Sequence, residues 1–282
     1  MFRSKLILKV LRPKQWIKNL LVAVAPIAAG QLDSQTMNII LGIIGFSAAS
    51  SFGYLANDWQ DRHLDKEHPK KNSRPFASGD LKINDLIVLM LFCLLVVIYV
   101  CINLPGNFIL TVFVYLVLTL SYTFIIKQIP VLEMIWLAFG FLVRAIAGSA
   151  IISQQPTGWF LVTVGFGSLF VVSAKRLGEF RKSYVNLTRI VIRKYNESFL
   201  STVLTTALTI TLLTYCLWVF EIYPDSLLAQ ITILPFTFTL LWYAWSCESG
   251  NAESPEDLMI SNWIFLFAAT ATILPIFITI YL

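Results

Sequence analysis

Between residues 57 and 79 the chain carries Asn57, Asp58, Asp61 and Asp65, followed by Lys70, Lys71, Arg74 and Pro75. Continued as a helix at about 100° per residue, Asn57, Asp61, Asp65 and Asp58 fall within an arc of about 100°. Three carboxylates and an amide then share one face. Carboxylates this close repel one another, and acids beside a membrane are costly without a partner. A hard divalent cation resolves both problems, and carboxylate oxygens combined with substrate phosphates are the usual setting for Mg2+. Asn57, Asp58, Asp61 and Asp65 are therefore the candidate metal ligands, and Asp58, Asp61 and Asp65 the candidate catalytic groups. A solvated acidic helix end is the competing reading; the apolar run before the cluster and the bases after it argue against that. His63 points away from the acidic face, and His68 precedes Pro69, where the helix should end.

A second constellation has the opposite sign. In Lys175-Arg176-Leu177-Gly178-Glu179-Phe180-Arg181-Lys182, a helix puts Lys175, Arg176, Glu179 and Lys182 on one face, with Arg181 elsewhere. Lys175 and Arg176 close to an apolar run suit a phosphate. Asn186, Arg189 and Arg193 align further on and suggest a surface helix, although simple retention of positive charge on one side of a membrane also accounts for them. Gln15, Lys18 and Asn19 share one side of the first apolar helix, Tyr122 and Lys127 lie at the end of the fourth, and Glu133 starts the fifth. Glu253, Glu256 and Asp257 form a loop without a base. Arg144 lies deep in an apolar run, where an unpaired Arg costs ~2.5–3.5 kcal/mol, so it must face other helices and find a partner there.

These residues need a membrane-spanning frame. Of the 282 residues 57% are hydrophobic and 13% charged, with a mean hydropathy of +0.74, more apolar than a soluble domain of this size. About 20 apolar residues cross the hydrocarbon core, and nine segments qualify, near 16–31, 36–56, 83–102, 107–126, 131–152, 157–174, 199–221, 228–246 and 261–281. The first follows a basic stretch from Arg3 to Lys18, but its length, Pro13 and the spans that follow mark it as a retained helix. With the N-terminus inside, every Lys and Arg except Arg144 falls on the inner side, which fits the positive-inside rule. The expected product is an all-α polytopic protein of the cell's inner (cytoplasmic) membrane, a single domain over 1–282, with its N-terminus and polar loops cytoplasmic. The pI near 9.0 then reflects topology and anionic ligands rather than nucleic acid. The cysteines Cys93, Cys101, Cys216 and Cys247 have no metal-type spacing and read as packing residues.

The run from Asn57 to Gly79 resembles the UbiA superfamily of intramembrane prenyltransferases, whose first Asp-rich motif is NDxxDxxxD followed by an RP element. The nine-span count agrees with that family's helical bundle. More specifically, Arg12-Pro13-Lys14-Gln15-Trp16-Ile17-Lys18-Asn19 looks like the N-terminal element of its decaprenyl-phosphate phosphoribosyltransferase branch. Arg144-Ala145-Ile146-Ala147-Gly148, Ala174-Lys175-Arg176 and Pro255-Glu256-Asp257 look like that branch too. The resemblance covers essentially the whole chain. It implies that Asn57, Asp58, Asp61 and Asp65 face Mg2+ and a diphosphate, and that Lys18, Lys71, Arg74, Tyr122, Lys127, Lys175 and Arg176 contact substrate. Gln15, Asn19 and Glu179, on the same faces, join the candidate substrate contacts. Two departures stand out. Lys175-Arg176 and Glu179 replace the second Asp-rich motif of the aromatic prenyltransferases, and Asn262 stands where the phosphoribosyl branch is expected to have Asp.

The resemblance implies 5-phosphoribosyl 1-pyrophosphate as donor and a polyprenyl monophosphate as acceptor. Both are anions, so cations beyond Mg2+ are required, and the second inner loop supplies them. The alternative enzyme moves a prenyl group from prenyl diphosphate to an aromatic or other lipophilic acceptor on the same Mg2+ face. A transporter is a different class; the concentration of polar groups on one side speaks against it. Besides these substrates and membrane lipids no partner is implied, and the reading is compatible with a homo-oligomer.

Overall fold

The computed structural model describes residues 2–67, 71–182, 190–249, 258 and 261–282. Among them every regular element is helical. In order these are α1 (Phe2–Leu11), a 3-10 stretch (Pro13–Leu20), α2 (Leu21–Ala28), α3 (Leu32–Gln60), α4 (Arg62–Glu67), α5 (Pro75–Ser78), α6 (Ile83–Asn103), α7 (Gly106–Phe124) and α8 (Leu132–Ile151). There follow α9 (Gly158–Lys182), a 3-10 turn (Ile190–Lys194), α10 (Glu197–Ile222), α11 (Leu227–Ile231), α12 (Ile233–Glu248) and α13 (Trp263–Tyr281).

Among the described residues, eight helical segments of 19 to 29 residues are long and apolar enough to cross a membrane, α11 and α12 together making one of them. At 1.5 Å per residue the shortest reaches about 28 Å, close to the ~30 Å hydrocarbon core. The ninth expected span, 16–31, is corrected: it is a 3-10 stretch followed by the eight-residue α2, which contains Pro26. Even so, this segment runs antiparallel beside α3. Trp16 donates to Ser51 (3.0 Å), Asn19 to Ser47 (3.1 Å), and Val22 packs at Gly42. In a 3-10 helix residues three apart eclipse, so Trp16 and Asn19 line up, and with Val22 at the start of α2 each meets α3 roughly one turn further back. The polar anchors, and not continuous hydrophobicity, set the path.

The chain groups into two compact units. One comprises residues 1–26, 31–127 and 143–155. Here α3 packs on α6 and α7 around Phe46, Val100, Phe108 and Tyr115, and a second cluster joins Val10, Leu55, Phe76 and Leu86. Small residues let backbones approach, as is usual where helices pack in lipid. A Cβ on Gly148 would stand 2.1 Å from the Val22 carbonyl oxygen, so α8 there can only be glycine.

The other unit comprises residues 27–30, 128–142 and 156–282. Along its length α9 packs on α10, and α12 packs on α9 and α13. Met134, Phe170, Leu177, Leu200 and Tyr243 lie in its core. Asn196 caps α10 by accepting from the Phe199 N–H at 2.7 Å, and Asn262 caps α13 by accepting from Phe265 at 3.0 Å. Asn262, a departure from the expected motif, thus has a local job at a helix start. Glu253, Glu256, Asp257, His68, Lys70, Asn186 and Arg189 lie outside the described residues.

Candidate active site

The acidic face forms where α3 outlasts its apolar part. Although α3 and α4 are separate elements, the Asp61 N–H bonds the Asn57 carbonyl at 2.9 Å and the Asp65 N–H bonds that of Asp61 at 2.8 Å. The turn-by-turn track from Asn57 through Asp61 to Asp65 is therefore continuous. Burial sorts the acids: Asp58 and Asp65 are buried and Asp61 is half-buried, while His63 is exposed. Buried carboxylates need partners, and cations supply them. Arg74 places Nη1 3.0 Å from Asp58 Oδ1 and 2.7 Å from Asp65 Oδ2. Pro75 explains the aim, because it starts α5 and holds Arg74 extended at φ −70°, ψ 137°.

Three further cations complete the cluster. Lys127 Nζ lies 2.5 Å from Asp61 Oδ1, Lys71 Nζ lies 4.0 Å from Asp65 Oδ1, and Arg12 Nη2 lies 2.5 Å from Asp58 Oδ1. Arg12 also stacks over the Tyr54 ring at 5.0 Å. Around it, Lys9 donates to the Ser73 carbonyl at 2.6 Å, and Arg62 stacks on Trp59 at 4.1 Å. Of the predicted residues, then, Asp58, Asp61, Asp65, Lys71, Arg74 and Lys127 are brought together. Asn57 stands half-buried at the start of the track, its side chain making no hydrogen bond among the described residues. Tyr122 is half-buried in the last turn of α7. Asp58 and Asp65 converge on Arg74 while Asp61 pairs separately with Lys127, and no group of three or more His, Cys, Asp or Glu side chains among the described residues is arranged to hold a metal.

Asn19 has a different setting from Gln15 and Lys18, which are half-buried. It is fully buried, and its Oδ1 accepts from Arg144 Nε at 2.7 Å. Arg144 Nη2 donates to the Tyr115 hydroxyl at 2.7 Å, its guanidinium lies 4.5 Å from that ring, and Ser50 joins at 3.0 Å from the same hydroxyl. The deep Arg144 thus finds neutral partners on the first segment, α3 and α7, as its position requires.

In the other unit Arg176 and Glu133 form a buried bidentate pair, with Nε to Oε1 at 2.7 Å and Nη2 to Oε2 at 2.6 Å. Arg176 Nη1 also reaches Glu179 at 2.8 Å. Tyr195 points its hydroxyl at Glu133 (3.4 Å) while accepting the Val131 N–H at 2.8 Å. Burial pushes the Tyr195 phenol up to about 12, so it stays a donor at neutral pH. Val131 itself sits at φ 67°, unusual for a β-branched residue. The neighbour Lys175 is half-buried and makes no ion pair or hydrogen bond among the described residues. Sequence reasoning missed Arg12 and the Glu133 and Tyr195 partners of Arg176. Arg12 had a signal, since it opens the Arg12-Pro13-Lys14 element.

Fold and site define a polytopic, all-helical integral membrane protein with a polar site at the end of a spanning helix. The chain belongs to the UbiA prenyltransferase family, whose family model matches residues 20–277. It is 35% identical to the decaprenyl-phosphate phosphoribosyltransferase of Mycobacterium tuberculosis, over 95% of this chain and 91% of that protein. The protein of the same name from Corynebacterium glutamicum is 33% identical, over 96% of this chain and 88% of the relative. Among solved structures, a UbiA homolog from Archaeoglobus fulgidus bound to DMAPP and Mg2+ matches with a TM-score of 0.75 at 16% identity, covering 97% of this chain and 98% of that one. At that identity the likeness shows the fold.

Proposed function

We propose that the protein is a Mg2+-dependent transferase that moves 5-phosphoribose from 5-phosphoribosyl 1-pyrophosphate to a polyprenyl phosphate and releases pyrophosphate. The observation that carries this beyond family membership is charge: Arg12, Lys71, Arg74 and Lys127 surround Asp58, Asp61 and Asp65, four cations for three carboxylates. A site for two anionic substrates needs that excess. The similarity to the two phosphoribosyltransferases over nearly the whole chain supports the same reading.

The residues fit a hard divalent ion. Arg74 Nη1 already stands between the Asp58 and Asp65 carboxylates, so the pair accepts a cation between them, and its donors are all oxygen. Asp58, Asp65 and Asp61, with the Asn57 amide, would hold Mg2+ once the cationic side chains turn to substrate phosphates. Bound there, Mg2+ supplies electrostatic stabilisation of the departing pyrophosphate. Arg74 and Lys71 bind and orient the donor phosphates, and Lys127 holds the Asp61 carboxylate or a phosphate oxygen in its place. Transfer forms a bond from a lipid phosphate oxygen to the ribose anomeric carbon as the bond from that carbon to the pyrophosphate oxygen breaks, with inversion. A phosphate monoester has its second pKa near ~6 and is largely ionised at neutral pH. No strong general base is needed.

The family match extends across both compact units, which supports one transferase domain over the whole chain. The charge distribution supports a cytoplasmic N-terminus and cytoplasmic loops at 57–82 and 175–198 in the inner membrane. Purified protein given a panel of donors and acceptors tests the function. Phosphoribosyl transfer to polyprenyl phosphate is the expected product; transfer of a prenyl group to an aromatic acid, with none from the phosphoribosyl donor, would make it an aromatic prenyltransferase.

A further inference from the structure

Asp58 is held by two guanidinium groups, and Arg74 alone accounts for the donor contact assigned above. The other is Arg12, which opens the Arg12-Pro13-Lys14 element and has so far been given no part in binding. Its Nη2 lies 2.5 Å from Asp58 Oδ1, the same oxygen that accepts from Arg74 Nη1 at 3.0 Å. Its backbone is left-handed, at φ 54° and ψ 59°, directly before Pro13. That conformation is costly for any residue but glycine and persists only where the surroundings over-determine it. Here the Arg12 N–H bonds the Leu8 carbonyl at 3.2 Å and its own carbonyl accepts from Gln15 at 2.9 Å. The kink ends α1 and turns the side chain onto α3, where Tyr54 stacks beneath it. The side chain remains 27% exposed, so a ligand can reach it.

Two guanidinium groups on one carboxylate oxygen carry more positive charge than that oxygen requires, and Arg74 is already shared with Asp65. We infer that Arg12 is an anion-binding residue of this site, which gives up Asp58 when a divalent cation takes its carboxylate and turns to a pyrophosphate oxygen instead. The inference rests on the reading of the site as one for Mg2+ and a pyrophosphate-bearing donor. It has a particular consequence: Arg12 competes with the metal for Asp58 while assisting the anion.

The test uses the full chain in detergent and two measurements, binding of inorganic pyrophosphate by calorimetry at saturating Mg2+, and the Mg2+ concentration that half-maximally raises the unfolding temperature. Arg12→Gln keeps a hydrogen-bond donor for Asp58 and loses the charge. It should weaken pyrophosphate binding by roughly ten- to a hundredfold and shift the Mg2+ midpoint several-fold lower, about a factor of three or more. Arg12→Lys should lie between wild type and Arg12→Gln in both, and it carries the test if Arg12→Gln does not fold. A purely structural residue would move both responses the same way. Unchanged pyrophosphate affinity, a parallel loss of both responses, or a wild type that binds no pyrophosphate would overturn the inference. Wild type that binds pyrophosphate with the Arg12 dependence expected, yet transfers no phosphoribose, would leave the inference standing and remove the proposed function.

Discussion

Arg176 and Glu133 grip each other through two parallel hydrogen bonds, and their side chains are only 2% and 0% exposed. A buried pair of this geometry costs most when one partner is removed, because the other charge is left without compensation, typically at about 3–5 kcal/mol. Arg176→Ala should therefore unfold at markedly lower temperature in detergent, and any loss of activity should come with that loss of stability. The double variant Arg176→Gln with Glu133→Gln should recover much of it. An Arg176→Ala protein with wild-type stability but weak substrate binding would instead make Arg176 a phosphate ligand.

Lys175, next in the chain and uncommitted among the described residues, is the better candidate for the phosphate contact expected of this pair. Lys175→Ala should leave the unfolding temperature nearly unchanged and weaken polyprenyl phosphate or donor binding by roughly tenfold or more. A drop in unfolding temperature as large as that of Arg176→Ala, without weaker binding, would count against it.

Asp61 sits between Asn57 and Asp65 on the same helical track and pairs with Lys127 at 2.5 Å. Half-buried rather than buried, it can lose its charge without leaving an unsatisfied core. Asp61→Asn should remain folded in the membrane and lose roughly a hundredfold or more in turnover. Wild-type turnover with an unchanged Mg2+ requirement would remove Asp61 from the metal assignment.

The path of the first segment can be tested through packing. A Cβ on Gly148 would meet the Val22 carbonyl at 2.1 Å, while one on Gly106 would meet nothing within 4 Å. Gly148→Ala should destabilise by about 1–3 kcal/mol or more, measured by unfolding in mixed detergent, and Gly106→Ala should not. Equal stability of the two variants would mean that α8 does not lie against Val22.

Orientation has a separate test. Position 72 is exposed and the native cysteines are buried or half-buried, so a cysteine introduced at Asn72 can be read above a low background. It should react with an impermeant maleimide only after the cells are opened. Efficient labelling of intact cells would reverse the proposed topology.

What the sequence showed and what it concealed follow from the range of the forces involved. Long apolar runs announce membrane helices because burial in lipid is a sum over about 20 consecutive residues. The same averaging hid the break between Pro13 and Ala28, where Trp16 and Asn19 are held by Ser51 and Ser47 on a helix about 30 residues away in sequence. The acidic face was legible because its spacing is local. Lys71 and Arg74 follow it closely and were legible with it, but the pairing of Arg12 and Lys127 with its acids was not, since they lie 46 and 66 residues from the acids they meet. Arg176 shows the limit most clearly: next to Lys175 it looks like one half of a phosphate clamp, yet Glu133, 43 residues earlier, has already claimed it.

If the cation-rich acidic face on α3 and α4 transfers phosphoribose to a lipid phosphate, pyrophosphate release must depend both on the lipid and on that face. The most direct measurement is pyrophosphate release from 5-phosphoribosyl 1-pyrophosphate by purified protein with Mg2+, with and without polyprenyl phosphate, in wild type and in Asp58→Asn. The expected result is release that requires the lipid phosphate, is matched one for one by phosphoribosylated lipid, and is lost in Asp58→Asn while that variant remains folded. Release that is indifferent to the lipid, or lipid-dependent transfer that survives Asp58→Asn undiminished, would contradict it.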